Sequence, residues 1–135
     1  MLAFMTDAAA RTLPLNAAST WIAGIAALFF LGIGLRAVLA PAGAAAFFGL
    51  PVPGADGLAF VRVFGARNVG LSLLALTLLV LDVRLGLAAL FLAAAVIAGL
   101  DAWIVTTHAG AAHALKHFAY VAGLAGFGLF LALGR

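Results

Sequence analysis

The side chains best suited to chemistry share one helical face near the end of the chain. His113, Lys116, His117 and Tyr120 stand at i, i+3, i+4 and i+7, and this spacing places them one above another on a helix. An imidazole or a phenol can pass protons to a substrate and take them back. The spacing therefore predicts a proton-transfer stripe, and we assign roles in it to His117 and Tyr120.

Four further ionisable residues lie inside apolar segments elsewhere in the sequence. Three are the cations Arg36, Arg62 and Arg67, and one is the carboxylate Asp101. These four carry a net charge of +2 before His117 is counted. An excess of buried cation is unfavourable without a counter-charge, which a ligand with a carboxylate, phosphate, enolate or polarised carbonyl would supply. The balance predicts an amphiphilic ligand with a polar or anionic head.

The predicted site is thus made of two groups of residues. Asp101 is the predicted acid or base, His117 its partner, and Tyr120 a proton donor or an orienting group. The predicted ligand-binding residues are Arg62 and Arg67, which act as an electrostatic clamp, together with Asn68 and Arg36.

These residues must be positioned by membrane helices, because the composition excludes a water-soluble fold. Hydrophobic residues make up 67% of the 135 residues and charged residues only 8%, whereas globular domains carry about 25% charge. A span needs about 20 apolar residues, and four segments qualify. The sequence predicts an all-α, integral membrane four-helix bundle, antiparallel and up-down-up-down, in a single domain over 1–135. Its predicted spans are about 21–40, 58–81, 85–106 and 113–133.

Two segments lie outside the predicted spans. Residues 1–20 are expected to form an uncleaved N-terminal tail, because they lack the pattern of a cleaved signal. Residues 41–57 are expected to form an interfacial loop whose Ala-Ala-Phe-Phe centre makes one helical turn before Pro51 and Pro53.

The predicted topology brings the ionisable residues to one side of the membrane, the side of loop 41–57. With 1.5 Å of rise per residue, Arg36, Arg62, Asp101 and His117 lie roughly 6–8 Å inside that surface, and Arg67 lies about 14 Å inside. Arg36 and Arg62 are shallow enough to reach the surface with their long side chains.

Arg67 and Asp101 leave two alternatives open. They could form a structural ion pair between two helices, or they could belong to a polar pocket open to the 41–57 side. Arg62 and Arg67 point about 140° apart at 100° per residue, so they cannot both face one partner.

Other chemistries find little support in the sequence. Cysteine is absent, which removes disulfides, thiolate metal sites and thiol nucleophiles. Lys116 would repel a metal ion from the stripe that contains His113 and His117, so no metal is predicted, and no other cofactor. The high pI rests on scattered charges without a basic cluster, so nucleic acid is not a predicted partner.

Four sequence elements resemble a known family. They are GLRAVLAP (34–41), FVRVFGARNVGLSLL (60–74), LDAWIV (100–105) and HALKHFAY (113–120). Over about 20–133 the chain is similar to the domain of unknown function 4267 family, small bacterial membrane proteins with four predicted spans and a DoxX-like architecture. The resemblance implies a four-helix bundle in a bacterial inner membrane. It brings no established activity, so no functional residue is carried over from it.

Three functions fit these observations. The first is a protein that binds a lipophilic molecule, or a membrane lipid, in a one-sided intramembrane pocket, where acid–base isomerisation or cyclisation could follow. The second is a non-catalytic accessory or structural subunit. The third is a small proton-coupled transporter, which four helices could form only as a homo-oligomer. Both termini are expected on the same side of the membrane. That side carries three basic residues and the opposite side carries two or three, so the positive-inside rule slightly favours a cytoplasmic location for the termini.

Overall fold

The computed structural model describes residues 17–133, and this part of the chain forms five α-helices without a strand. In chain order they are α1 (Ala18–Leu39), α2 (Pro41–Phe48), α3 (Gly54–Val80), α4 (Arg84–Ala109) and α5 (Ala111–Leu133). Four of them, all except α2, are long and apolar enough to cross a membrane. The predicted tail lies mostly outside the described residues, which begin at position 17.

The helix boundaries follow from residues that cannot continue a helix. Pro41 stands at the first turn of α2, and Gly49, at φ 105°, ends that helix in the left-handed conformation. Asp82 (φ 54°) and Gly110 (φ 90°) separate the later helices. The interfacial helical turn predicted for 41–57 is thus a complete helix of eight residues, a fifth element in addition to the four predicted ones.

The four long helices pack mainly as two pairs. Helix α1 lies against α3, and their backbones approach most closely at Gly34 and Gly65. A methyl group at Gly65 would lie 2.7 Å from the carbonyl oxygen of Gly34 and 2.7 Å from the Cβ of Ala37. Small residues allow such close packing between membrane helices.

Helices α4 and α5 form the second pair, and its contacts join the start of one helix to the end of the other. Arg84, the first residue of α4, donates from Nε to the carbonyl oxygen of Leu131 at 2.7 Å. Further along, a methyl group at Gly128 would lie 2.9 Å from Cγ of Leu92. The two pairs touch each other much less than the helices within each pair do.

The interior of the bundle is built largely from alanine, whereas many large apolar side chains point outward. Ala23, Ala27 and Ala98 are buried. Trp21 and Leu39 are 67% and 78% exposed. Large apolar side chains on the outside and small ones between helices are typical of helices surrounded by lipid. Together with the four long apolar helices, this distribution indicates an integral membrane protein.

Candidate functional site

A cavity of about 830 Å³ lies between the two helix pairs, and all five helices contribute to its wall. Most of the wall consists of Ala, Leu, Val, Ile and Phe side chains. Seven polar or charged residues interrupt it: Arg36, Asn68, Ser72, Asp101, Lys116, His117 and Tyr120. Five of the seven predicted site residues therefore meet at one cavity, because only Arg62 and Arg67 are missing from this set.

His117 is the most deeply buried ionisable residue of the cavity, with 3% of its surface exposed. Its Nε2 lies 2.8 Å from the carbonyl oxygen of Phe48. A carbonyl oxygen only accepts, so Nε2 carries the hydrogen, and a neutral His117 has its lone pair on Nδ1. Nδ1 makes no hydrogen bond within residues 17–133. The Nδ1 lone pair can therefore accept a proton or a hydrogen bond from a ligand.

Two consecutive residues of α5 fasten the end of α2. His117 binds the carbonyl of Phe48, and Lys116 donates from Nζ to the carbonyl of Phe47. The last carbonyls of a helix have no partner within that helix and carry a partial negative charge. The Phe48 ring also packs edge-on against His117 and Phe64, at centroid distances of 4.6 and 5.5 Å. Helix α2 therefore closes one end of the cavity and is attached there by Lys116 and His117.

Three polar groups that face the cavity have no hydrogen bond in the described part of the chain. They are the half-buried carboxyl group of Asp101, the hydroxyl of Tyr120 and the hydroxyl of Ser72, whose residue is 4% exposed. Asp101 of α4 and His117 of α5 both line the cavity. The Tyr120 ring is held 6.1 Å from the His117 ring, centroid to centroid. Unused donors and acceptors in a mostly apolar cavity are well suited to orient a ligand.

The cationic end of the cavity is formed by Arg36 and Lys116. The guanidinium of Arg36 lies 5.3 Å, and Nζ of Lys116 4.6 Å, from the centroid of the Phe47 ring. Neither residue forms an ion pair within 17–133. Two positive side chains from α1 and α5 thus meet at α2 without a counter-charge.

Asn68 has a structural partner as well as a place in the cavity wall. Its Nδ2 donates to the carbonyl oxygen of Phe30 at 2.8 Å and so joins α3 to α1. The predicted ligand-binding role of Asn68 stays a prediction; its side-chain oxygen and its second N–H make no hydrogen bond within residues 17–133.

The predicted clamp of Arg62 and Arg67 is not formed. Both residues are exposed, and neither lines the cavity. Rotation of α3 explains this arrangement, because Phe64 and Asn68 face the cavity and Arg67 stands outside that stripe. Within the described residues Arg67 and Asp101 do not form an ion pair, so the structural alternative that joined them is wrong.

Sequence reasoning missed Lys116, Ser72 and the Phe47–Phe48 segment as parts of the site. Lys116 could have been found, because it stands in the same helical stripe as His117 and Tyr120. The carbonyls of Phe47 and Phe48 carry no sequence signal. Residues 17–133 contain no group of three His, Cys, Asp or Glu side chains that could hold a metal ion.

Fold and site together define a small helical protein whose four membrane-length helices surround an apolar cavity with a few polar groups. The family described as "Domain of unknown function (DUF4267)" matches residues 27–131. The chain belongs to this family, which confirms the resemblance found in the sequence. No curated protein and no solved structure matches the chain.

Proposed function

We propose that this protein binds a lipophilic molecule with an anionic head in the cavity between its helix pairs. The main support for this proposal is the cavity itself. Its volume of about 830 Å³ falls within the range of roughly 300–1,000 Å³ for small-molecule sites, which are mostly apolar with a few placed polar groups.

The charges of the cavity indicate the chemistry of the head. Arg36 and Lys116 meet at α2 without a counter-charge, and a carboxylate or phosphate would neutralise them. The apolar body would then extend along α1 and α3 past residues such as Phe64 and Leu71. This placement replaces the predicted clamp of Arg62 and Arg67 with a pair of cations at the end of the cavity.

The proposed membrane arrangement follows from the short connections. Helices α4 and α5 are joined only by Gly110, and α3 and α4 only by 81–83. We place the four long helices across the bilayer in up-down-up-down order, with α2 at one interface and both termini at the other. The end of the cavity that α2 closes, with Arg36 and Lys116, then lies near the interface that holds α2.

Acid–base chemistry on the bound molecule is a second proposal, supported by the unused groups of three residues. Nδ1 of His117, the carboxyl group of Asp101 and the hydroxyl of Tyr120 face one cavity. In an isomerisation or a cyclisation, a proton taken from one atom is returned to another. Asp101 and His117 could carry out both transfers without a cofactor, and Tyr120 could stabilise a developing oxyanion.

A comparison of three amphiphiles with the same acyl chain tests the binding proposal. Oleate, oleyl alcohol and oleylamine would be titrated against the purified protein in a non-ionic detergent, and binding measured by equilibrium dialysis. We expect oleate to bind most tightly. In the double variant Arg36→Gln/Lys116→Gln, this preference should fall by about tenfold or more, since hydrogen bonds between charged groups contribute roughly 1.5–3 kcal/mol.

The variant Arg62→Gln is the matched control, because it removes an exposed arginine that does not line the cavity. It should bind all three amphiphiles as the natural protein does. Absence of saturable binding by any of the three, or tightest binding of the amine, would contradict the proposal.

A further inference from the structure

The cavity has an incomplete wall between α3 and α4. These two helices approach each other near their connection, where Leu78 would lie 3.0 Å from a methyl group at Gly86. Further from that connection, residues of both helices that line the cavity have exposed side chains. Leu71 of α3 is 39% exposed, and Ile97 of α4 is 44% exposed. The cavity is thus accessible from the side of the bundle.

The opposite side, between α1 and α5, is bridged by aromatic rings. Tyr120 of α5 packs edge-on against Phe29 and Phe30 of α1, at centroid distances of 6.2 and 5.6 Å. No ring contact or hydrogen bond of this kind joins α3 to α4 within 17–133. The end of the cavity at α2 is closed by Lys116 and His117.

Arg67 stands at the rim of the gap between α3 and α4. It follows Phe64 by three residues and precedes Leu71 by four, so all three side chains are neighbours on the surface of α3. Phe64 and Leu71 line the cavity. Arg67 is exposed and has no hydrogen bond or ion pair within the described chain.

The position of Arg67 along α3 makes its lack of a partner unfavourable. Arg67 is the fourteenth residue from either end of α3 (Gly54–Val80), so it stands at the midpoint of the helix. A charged side chain at the centre of a membrane helix is energetically unfavourable, and such residues generally serve a pathway or a partner.

We infer that the gap between α3 and α4 is a lateral portal, through which an anionic lipophile reaches the cavity from the hydrocarbon of the membrane, and that Arg67 pairs with its head during passage. The inference rests on the proposed binding function. A carboxylate that moves through hydrocarbon alone is strongly disfavoured. A guanidinium at the rim offsets this penalty, and the passing head in turn pairs with Arg67.

This role predicts a distinct kinetic signature. A group that contacts the ligand only in passage lowers the barrier in both directions, so its removal slows association and dissociation equally. The dissociation constant then stays unchanged. Loss of a group that holds the bound head, such as Arg36 or Lys116, would instead raise the dissociation constant.

The kinetics can be measured with dibromostearate, an anionic lipophile that quenches tryptophan. The reporter protein carries Trp21→Phe, Trp103→Phe and Phe91→Trp, which leaves one tryptophan in the cavity wall. The reporter protein would be reconstituted in lipid nanodiscs. Stopped flow would then follow the specific part of the quenching, which is the part that excess oleate abolishes. Dibromostearyl alcohol serves as the uncharged probe.

We expect Arg67→Gln to slow both association and dissociation of dibromostearate by about tenfold, the lower end of electrostatic effects on association rates. The kinetics of the alcohol should not change. Arg62→Gln is the control, because it changes an exposed arginine outside the rim, and it should leave the binding kinetics of both probes unchanged. Ala93→Phe, which narrows the gap at an exposed lining residue, should slow both probes, whereas Val96→Phe, outside the cavity wall, should not.

The outcomes separate the portal from the binding function. If no oleate-sensitive quenching occurs in the reporter protein, the binding proposal itself is wrong. Quenching could instead be saturable, with dibromostearate associating as fast with Arg67→Gln and Ala93→Phe as with their controls Arg62→Gln and Val96→Phe. The protein then binds the lipophile, but the portal proposal is wrong. If Arg67→Gln raises the dissociation constant with an unchanged association rate, Arg67 holds the bound head and the passage role is wrong.

Discussion

The Nε2–H group of His117 donates to the carbonyl oxygen of Phe48 at 2.8 Å, and this bond ties the end of α2 to the side of α5. The two residues are 69 positions apart in the sequence. Their rings also meet edge-on, so one histidine both fixes the position of α2 and presents its other nitrogen to the cavity.

Replacement of His117 by Phe separates these two contributions. The ring contact with Phe48 is retained in His117→Phe, but the Phe48 carbonyl loses its donor, a loss that costs about 1–3 kcal/mol for a buried group. We expect faster hydrogen exchange of the amides in 41–50, measured by mass spectrometry, with α4 unchanged. His113→Phe is the control, because that imidazole is exposed and has no side-chain hydrogen bond. Equal protection of 41–50 in both variants would show that the bond does not hold α2.

The close approach of α1 and α3 predicts different effects for two glycines of α3. In Gly65→Ala the new methyl group would lie 2.7 Å from Ala37 and from the Gly34 carbonyl, so the helices must separate. Overpacking of this kind costs typically 1–3 kcal/mol. Gly70→Ala places its methyl group in open space and should leave the stability unchanged or slightly higher. Unfolding by SDS in mixed micelles measures both; equal stability of the two variants would contradict the packing.

A polar contact joins the same two helices one turn further along. Asn68→Leu removes the hydrogen bond to the carbonyl of Phe30, and hydrogen bonds between membrane helices contribute about 0.6 kcal/mol on average and at most about 1.7. We expect a loss of stability within this range in SDS titration. Ser72→Ala is the matched control: it removes a hydroxyl that makes no hydrogen bond within the described residues and should not destabilise. A larger loss in Ser72→Ala than in Asn68→Leu would contradict this assignment.

Much of the fold could be predicted from apolar length, since the four predicted spans coincide with α1, α3, α4 and α5 to within a few residues. Which of the two neighbours, Arg67 or Asn68, faces the cavity could not be predicted. Helical periodicity gives only the relative directions of side chains, and charge alone suggested that Arg67 faces the interior. The rotation of α3 is set instead by its contact with α1 at Gly65, which turns Asn68 towards the cavity. The docking of α2 depends on backbone carbonyls, which have no sequence pattern.

The far end of the bundle depends on Arg84. Its Nε donates to the carbonyl of Leu131 at 2.7 Å, so a positive charge stands at the negative end of α5, an arrangement worth typically 0.3–1 kcal/mol and up to about 2. We expect Arg84→Ala to lose about 1 kcal/mol in SDS unfolding and to increase hydrogen exchange at 128–133. Arg62→Ala removes an arginine without such a bond. If Arg62→Ala destabilises the protein as much as Arg84→Ala does, the destabilisation comes from the loss of positive charge and not from the loss of the hydrogen bond to Leu131.

Arg67 and Asp101 should be energetically independent in the free protein. A structural ion pair inside a membrane would make each single replacement costly and the double replacement much less so, because the lone remaining charge is what destabilises. The structure has no such pair within residues 17–133. We therefore expect a double-mutant cycle of Arg67→Leu and Asp101→Leu to give a coupling energy below about 0.5 kcal/mol, as for sites without shared partners. Arg67→Leu alone should stabilise the protein in the bilayer, because it removes an unpaired charge from the middle of α3. If Arg67→Leu destabilises the protein and the addition of Asp101→Leu reverses that loss, the two residues do form an ion pair. Arg67 would then have a partner within the protein, and its proposed role at a portal would lose its basis.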